Sequence, residues 1–320
     1  MAYRAKSPNR LLDELATLSS RYRSFQFVAV DNILDPAYLK DLFPRLKEQQ
    51  LDYRIFYETK ANLRKEQIQL LSEVGIYRLQ PGIESLSTRV LGLMRKGVTA
   101  IQNVNLLRWT RYYGIEAVWN LIWGFPGESE ADCDTQQSLI PYLSHLEPPH
   151  GMGRIWLERF SPLFRDRAAF PMRTMQPAES YAFVYPKNVD LEKVAYFFDY
   201  ELENTLPDSA YKKMEQLAET WKESWQNGVR PSLTYWRSPA LVQIEDTRDP
   251  TAPLTYSLDG PLAELYPAFS DRPMSAAGAR AKLGWEWPIE EIEGALDEFC
   301  DKGLVMRDGD LYLTLALPAT

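Results

Sequence analysis

Cysteine and histidine are scarce in this sequence. Its 320 residues include two cysteines, Cys133 and Cys300, and two histidines, His145 and His150. These counts exclude a disulfide-rich scaffold and a zinc ribbon. They also leave too few thiolates for an iron–sulfur cluster, which usually takes about three or four cysteine ligands. We therefore expect no metal centre built by this chain alone.

Long apolar runs and an excess of basic residues are absent as well. No stretch approaches the roughly 18 apolar residues of a membrane-spanning helix, and the N-terminal MAYRAKSPNR lacks the apolar core of a signal peptide. The 36 Lys and Arg are outnumbered by 44 Asp and Glu, which gives a net charge of −8. An acidic balance disfavours nucleic acid and anionic membranes as partners. We expect a cytoplasmic protein that binds neither.

The sequence does contain a regular alternation of helix and strand patterns from Ser7 to about Ser161. Five strand patterns lie between amphipathic helix patterns, at 25–32, 53–60, 76–84, 115–124 and 154–161. This alternation is typical of βα units around a parallel sheet. The first pattern is a helix that begins at Ser7-Pro8, whereas a βα barrel begins with a strand. We therefore predict a partial (βα)6 barrel that lacks its first strand, with that strand missing before Met1.

The rest of the chain divides into two further regions. Residues 166–236 have no steady period apart from one amphipathic helix pattern, and we interpret them as a covering segment and a linker helix. Residues 237–320 combine two strands, three helices and a hairpin with an Asp308-Gly309 turn. This order predicts a small winged-helix-like α+β domain. The predicted domains are thus 1–165, 166–236 and 237–320.

Polar residues follow each predicted barrel strand. In βα barrels the active site is built from the carboxyl ends of the strands. The residues at these ends are Asp31 and Asn32, Glu58 and Lys60, Gln80 and Glu84, Asn120 and Glu128, and Glu158 and Arg159. Their convergence predicts a polar pocket suited to a charged small molecule.

The segment NLIWGFPGE, residues 120–128, is the sharpest local signal. Gly124 and Gly127 have no Cβ atom, so a planar ligand can lie against the main chain there, and Pro126 stiffens the turn. A plain connector between a strand and a helix is the alternative interpretation. The segments PGIESLS and VLGLMRKG precede it in the chain, and this order favours a binding site.

The segments YRAKSP, VDNILD, YETKANL, QPGIESLSTRVLGLMRKGV, WNLIWGFPGE and HLEPPHGMGRIWLERFSP together resemble one family. They are similar to the radical S-adenosylmethionine (SAM) enzymes, and specifically to the cobalamin-binding branch that matures ribosomally made peptides and includes C-methyltransferases. The resemblance runs from Met1 to about Phe164. It implies a partial barrel that holds SAM across the strand ends.

The resemblance also implies roles for individual residues. Asp31 and Asn32 would lie near the SAM amino group, although their strand lacks the family's common Gly-Gly-Glu form. Glu84 and Ser85 would face the ribose and the carboxylate, and Ile122 and Gly124 would face the adenine. Glu58 and Lys60 would lie toward the substrate or the SAM carboxylate. Glu128, in the segment NLIWGFPGE, is a further candidate. Asn120, in the same segment, is expected in the polar pocket at the strand ends.

The family further implies a 4Fe-4S cluster held by a CxxxCxxC loop after the first strand, and a cobalamin domain before the barrel. Cys133 and Cys300 cannot form that loop. The missing strand and the missing cysteines therefore point to one omission, and we interpret the chain as a C-terminal portion of such an enzyme. A misplaced start, a split gene or a decayed gene would each explain the omission, and in a split gene a separate chain would carry the cluster loop and the cobalamin domain.

The C-terminal region resembles the peptide-recognition domains of peptide-maturation enzymes, which add a leader peptide as an extra strand to a sheet edge. DNA binding is disfavoured because the helix pattern at 289–302 is strongly acidic. A purely structural cap is the alternative.

Three functional hypotheses follow. The first is a radical SAM enzyme, or its C-terminal portion, that modifies a ribosomal precursor peptide by C-methylation with SAM and cobalamin. The second is a non-catalytic SAM- or peptide-binding partner module derived from such an enzyme. The third is a βα-barrel enzyme of unrelated chemistry in which Glu58, Lys60 and Glu158 act as acid–base groups.

Overall fold

The computed structural model describes residues 4–30, 33–226 and 228–319, so Asp31 and Asn32 lie outside the described residues. The helices are α1 Pro8–Tyr22, α2 Leu42–Gln49, α3 Lys65–Glu73, α4 Thr88–Leu93, α5 Ala100–Tyr112, α6 Glu130–Leu139, α7 Pro162–Arg165, α8 Tyr181–Val184, α9 Leu191–Val194, α10 Lys212–Gln226, α11 Gly260–Ala268, α12 Ala276–Leu283 and α13 Ile289–Asp301. Short 3-10 helices lie at Pro36–Leu39, Ile140–Leu143 and Asp208–Ala210. Among the described helices, none combines the length and apolar character needed to cross a bilayer.

The strands are β1 Gln26–Val28, β2 Arg54–Thr59, β3 Ile76–Pro81, β4 Glu116–Ala117, β5 Asn120–Trp123, β6 Gly151–Arg154, β7 Leu157–Glu158, β8 Met172–Pro177, β9 Phe197–Leu202, β10 Leu233–Arg237, β11 Leu241–Asp246, β12 Leu254–Asp259, β13 Val305–Asp308, β14 Leu311–Thr314 and β15 Leu317–Pro318.

A parallel sheet in the order β1-β2-β3-β4 forms the centre of the first half of the chain. Strands β5 and β6 are also parallel to each other. The backbone N–H of Ile122 in β5 donates to the carbonyl of Glu84, just after β3, at 2.9 Å. This contact joins the second pair of strands to the first sheet. The predicted α/β fold with a parallel sheet is confirmed.

The helix α1 begins where the sequence predicts. The Ser7 hydroxyl accepts a hydrogen bond from the N–H of Arg10, and Pro8 occupies the first turn, where its missing N–H costs nothing. A 3-10 helix at Pro36–Leu39 precedes α2, and the two are separate because Asp41 leaves helical geometry with φ −126° and ψ −60°.

The first strand differs from its prediction. A buried strand was expected over 25–32, but β1 is short and its apolar neighbours are exposed, with 61% of Phe25, 64% of Val28 and 92% of Val30 accessible. The physical reason is position, because β1 forms the edge of the sheet, with β2 as its one partner among the described strands.

The fifth predicted strand, 154–161, also differs. The parallel strand at this point is β6, which ends at Arg154, whereas β7 joins an antiparallel sheet in the order β7-β9-β8. The segment interpreted as irregular therefore contributes two strands to this sheet, β8 and β9. A separate apolar core lies against this sheet and includes Phe125, Leu157, Leu163, Phe170, Ala195, Phe198 and Leu202.

The C-terminal region forms a sheet in the order β12-β11-β10-β15, followed in the chain by three helices and the β13–β14 hairpin. The strand β10 was not predicted, and it begins before residue 237. It pairs antiparallel with β11 and parallel with β15. The hairpin turn at Gly309, with φ +61°, lies where the sequence predicts it.

Helix α5 lies between the parallel sheet and the C-terminal region. Its fully buried Arg108 donates to the carbonyls of Ser270 (2.8 Å), Ala316 (2.9 Å) and Leu315 (3.2 Å). At the start of the same helix, the carboxylate of Asp308 accepts from the Thr88 hydroxyl at 2.5 Å and from the N–H of Ile101 at 3.2 Å. These contacts hold the C-terminal region against α5. We call this interface, which includes Arg108 and Asp308, the α5 seam.

Candidate functional site

A cavity of about 440 Å³ lies at the carboxyl ends of β2 and β3 and at the start of β5. This volume is in the usual range for sites of small ligands, about 300–1,000 Å³. Its polar lining includes Glu58, Lys60, Gln80, Glu84, Lys96 and Asn120. The structure thus brings together five of the polar residues expected at strand ends, on the side of the sheet where the sequence predicts the site.

Glu84 holds the most constrained position in this cavity. Its backbone has φ +63°, a left-handed conformation that is uncommon for a residue with a Cβ atom. The Lys96 ammonium donates to its carboxylate at 2.8 Å. A Cβ on the neighbouring Gly82 would stand 3.3 Å from Lys96 Nζ and 3.4 Å from Glu84 Oε1. Glycine at this point therefore leaves room for the ion pair.

The other predicted lining residues are held mainly through their backbones or through neighbouring strands. The carbonyl of Glu58 accepts from the N–H of Leu34 at 2.8 Å. Lys60 is exposed at the rim. The Asn120 side chain accepts from the N–H of Gly151 at 3.1 Å, which ties β5 to the start of β6.

Ser85 lies outside this lining. Its side chain is fully buried, and its hydroxyl donates to Gln136 Oε1 at 3.0 Å. The same amide oxygen accepts from the N–H of Leu86 at 2.9 Å, and Asn103 donates to the Ser85 carbonyl at 3.0 Å. The distinctive serine of this segment thus fixes the loop against α6 and α5 and does not face the cavity.

Glu128 is also directed away from the cavity. Its carboxylate accepts from the N–H groups of Gly124 (3.2 Å) and Phe125 (3.0 Å) and from the Tyr211 hydroxyl (2.5 Å). Burial raises the pKa of Glu128, and these hydrogen bonds act in the opposite direction. Glu128 therefore closes the turn of the GFPGE segment from within.

Ile122 and Gly124 follow Asn120 along β5 but are not part of the cavity lining. Ile122 is half-buried, and Gly124 has φ +80°. A Cβ on Gly124 would lie 2.3 Å from a guanidinium nitrogen of Arg154, so a larger residue would require that side chain to move and would also be strained at this positive φ. Within the described residues the side chain beside Gly124 is that of Arg154, and the contact with a planar ligand stays a prediction.

Lys96 and its neighbour Arg95 are charged lining residues that the sequence does not predict, and Lys96 is the one that pairs with Glu84. It belongs to the RKG end of the segment VLGLMRKG, in the loop after α4 rather than at a strand end. The signal was present in that segment, but nothing in its spacing indicates that the lysine turns back to Glu84.

Glu158, the third residue of the acid–base hypothesis, lies away from Glu58 and Lys60. Glu158 lies in β7, within the antiparallel sheet, and the nearest recorded contact of its carboxylate is the Tyr196 hydroxyl at 3.5 Å. It does not line the cavity that contains Glu58 and Lys60. The three residues of that hypothesis are thus not gathered in one cavity.

The side chains present determine whether this chain can hold the two groups that the resemblance implies, a 4Fe-4S cluster and SAM. In the described part of the chain, no group of three or more His, Cys, Asp and Glu is placed to hold a metal ion. Burial raises the pKa of both Cys133 and Cys300 to about 11, which disfavours the thiolate that a cluster needs. These residues do not fit a 4Fe-4S cluster. The cavity, with carboxylates, ammonium groups and amides, fits a zwitterionic small molecule such as SAM.

The first part of the chain is similar to known proteins. Residues 1–139 match the profile of the Radical SAM superfamily. An uncharacterized methyltransferase of Pyrococcus horikoshii is 27% identical over 135 residues, which are 41% of this chain and 29% of that protein. The chain thus spans less than a third of this curated relative. The superfamily match covers the parallel strands β1 to β5 and the cavity residues Glu58, Lys60, Glu84, Lys96 and Asn120.

Two solved structures are similar at low identity. The radical SAM methyltransferase TsrM from Kitasatospora setae, with tryptophan substrate and a SAM analogue bound, is 16% identical, with a TM-score of 0.49 over 66% of this chain and 46% of that chain. The cobalamin-dependent SAM radical enzyme OxsB, with aqua-cobalamin bound, is 16% identical, with a TM-score of 0.37 over 68% of this chain and 31% of that chain.

Proposed function

We propose that this chain binds SAM in the cavity at the strand ends and forms the SAM- and peptide-binding portion of a radical SAM enzyme. The enzyme would methylate a carbon of a ribosomally made peptide, with cobalamin and the cluster ligands supplied outside this chain. The observation that supports this proposal is the Glu84–Lys96 cavity at the carboxyl ends of parallel strands, within the residues that match the superfamily.

The charges of the cavity suit the amino acid part of SAM. Lys60 and Lys96 offer ammonium groups to a carboxylate, and Glu58 and Glu84 offer carboxylates to an amino group. Gln80 and Asn120 add amide donors and acceptors for a ribose. When bound, SAM supplies a methyl group activated by its positive sulfur. The residues named here bind and orient it.

Titration calorimetry with SAM tests this assignment. We expect saturable binding by the wild-type chain, and a dissociation constant raised about tenfold by Glu84→Gln or Lys96→Met, because each removes one charge-assisted contact. Glu73→Gln is the matched control, since Glu73 pairs with Lys47 at 2.7 Å outside the cavity. Failure of the wild-type chain to bind SAM, or equal affinity in all variants, contradicts the assignment.

The C-terminal sheet supplies a surface for the peptide. Among the described strands, β12 pairs only with β11, so its other edge is free to accept a further strand. Leu254, Thr255 and Ser257 on this strand are exposed. A leader peptide added beside β12 would gain main-chain hydrogen bonds, as in other cases of strand addition.

Fluorescence anisotropy with a labelled leader segment, taken from a precursor peptide encoded beside this chain's gene, tests the β12 edge. We expect Thr255→Pro to weaken binding about tenfold, because proline removes an N–H and distorts the edge. Val229→Pro, in the exposed loop before β10, is the control. Equal affinity of the two variants for the peptide would show that the peptide binds elsewhere.

A non-catalytic module that binds SAM and peptide beside a partner enzyme is the second candidate. The unsuitable donor set for a cluster favours it. An assay of SAM cleavage distinguishes the two candidate functions when the chain is mixed with a cluster-bearing partner. Loss of cleavage by Glu84→Gln supports the first candidate, whereas cleavage that is independent of Glu84 supports the second.

A further inference from the structure

A second and larger cavity lies at the opposite end of the parallel strands. Its volume is about 760 Å³, and it is lined by the loop that enters β4, by residues 147–150 before β6 and by the end of α10. Because these segments precede their strands, the cavity is at the amino ends, away from Glu84. The chemistry at the carboxyl ends does not use it.

Two arginines of this cavity stack on the same tryptophan. The guanidinium carbons of Arg111 and Arg230 each lie 4.9 Å from the centre of the Trp225 ring, so they are at most twice that distance apart. The ring itself is fixed, because Trp225 Nε1 donates to the Ser144 carbonyl at 2.7 Å. A rigid aromatic side chain thus positions two like charges at the cavity wall.

The two guanidinium groups have no acceptor among the described residues. Within this part of the chain, neither Arg111 nor Arg230 has an ion pair or a side-chain hydrogen bond. Burial lowers the pKa of Arg111, Glu147 partly offsets this, and the charge of Arg230 lowers it again. Planar guanidinium groups bind carboxylate or phosphate through paired N–H donors. Here those donors are left for a ligand.

The acidic groups of the same cavity do have protein partners. The Glu147 carboxylate accepts from the N–H of Ala117 at 3.0 Å. Glu116 accepts two hydrogen bonds from Arg78, at 2.8 and 2.9 Å. The charge of Glu147 also acts on Arg111 and Arg230, but neither guanidinium group donates a hydrogen bond to it. With Lys222, three cationic side chains line the cavity against two carboxylates, and this excess favours an anion.

We propose that this cavity binds a small organic anion, with its carboxylate or phosphate group held between Arg111 and Arg230. The volume is in the range of sites for drug-sized ligands and exceeds the need of a bare inorganic ion. The inference is independent of SAM binding, because the two cavities share no lining residue.

Titration calorimetry with inorganic phosphate, adenosine monophosphate and citrate, in a phosphate-free buffer of low salt, tests the site. We expect saturable binding of at least one of the two organic anions, and its identity distinguishes a phosphate from a carboxylate ligand. Arg230→Gln should raise the dissociation constant about tenfold or more, and Arg111→Gln should do the same.

Arg21→Gln is the matched control, because Arg21 is an exposed arginine that also lies over an aromatic ring, 5.5 Å from the centre of Tyr22, without lining this cavity. Arg230 is itself exposed, so its replacement should leave folding intact, which circular dichroism verifies. If neither organic anion binds the wild-type chain, or if Arg230→Gln binds as tightly as Arg21→Gln, the proposal is overturned.

Discussion

Strand β1 and helix α5 invert the usual relation between polarity and burial. Phe25, Val28 and Val30 in and around β1 are apolar and exposed, whereas Asn103, Arg108 and Thr110 of α5 are polar and fully buried or nearly so. The difference follows from position, because β1 is the edge of its sheet and α5 lies between two layers.

The comparison teaches that each region depends on a different kind of interaction. Buried polar groups are tolerated when they are hydrogen-bonded. Removing one partner leaves the other group buried, with no hydrogen bond to protein or to water. Exposed apolar groups cost the monomer little but favour association. We therefore expect large effects of substitution in the α5 seam and small effects on stability at β1.

The largest effect is expected at Arg108. Burial lowers its pKa to about 10, so it remains charged at neutral pH, and its donors go to the carbonyls of Ser270, Leu315 and Ala316. Arg108→Met leaves these carbonyls unsatisfied and should cost about 3 kcal/mol or more in the free energy of unfolding. Urea unfolding measures this loss, with Arg21→Met as an exposed control. A loss below about 1 kcal/mol would show that the seam opens to water.

His145 gives the seam a dependence on pH. Its side chain is buried, with Nε2 3.0 Å from the Leu315 carbonyl, and burial, with nearby Arg248, lowers its pKa to about 3. An unfolded histidine titrates near pH 6.5. Below that pH the unfolded chain binds a proton that the folded chain does not, so stability falls as the pH decreases.

Between pH 7 and pH 5 this histidine alone should cost about 2 kcal/mol. His145→Gln keeps an N–H donor and removes the titration, so its stability should fall less steeply over this range. His150→Gln, at an exposed position, should follow the wild-type chain. Parallel slopes for all three proteins in unfolding curves at several pH values would count against this account.

Asp308 links the C-terminal hairpin to the start of α5, where the helix dipole favours a carboxylate. Asp308→Ala removes two hydrogen bonds and should lower the free energy of unfolding by about 1–2 kcal/mol. Asp310→Ala, exposed in the same hairpin, should change it by less than about 0.5 kcal/mol. Similar losses in the two variants would mean that the hairpin, and not this contact, matters.

The smallest effect on stability is expected at the edge of the sheet. Val30→Lys places a charge on a side chain that is 92% exposed and should change the free energy of unfolding by less than about 0.5 kcal/mol. It should nevertheless reduce self-association, because lysine on an edge opposes pairing with another chain. Light scattering as a function of concentration measures this. A marked loss of stability would instead show that the edge is covered.

The sequence predicts the parts of the fold that depend on local chemistry. The start of α1 at Ser7-Pro8 and the polar ends of β2 and β3 follow from cap residues and from strand periodicity. Those patterns place Glu58 and Glu84 at one edge because parallel strands share a direction. Asn120 lines the same cavity, but it is the first residue of β5 and not the last.

The remaining features depend on which surfaces meet, and no periodicity reveals that. The apolar pattern at 25–32 is typical of a buried strand, yet the neighbours of β1 leave it exposed. Strand β8 contains a register shift between Met172 and Thr174, and β9 has the exposed Phe197 beside the buried Phe198, so apolar residues do not alternate cleanly along either strand. Ser85 looks like a ligand contact from its segment but is buried by α6, and Lys96 reaches Glu84 from a loop.

Glu84 also makes the cavity observable by spectroscopy. The same residue pairs with Lys96 through its side chain and accepts the N–H of Ile122 through its carbonyl. A ligand that draws Lys96 away from Glu84 would alter the electric field along that N–H bond. The amide resonance of Ile122 in a nitrogen-15 correlation spectrum is therefore a built-in reporter of occupancy, on a residue that is not part of the cavity lining.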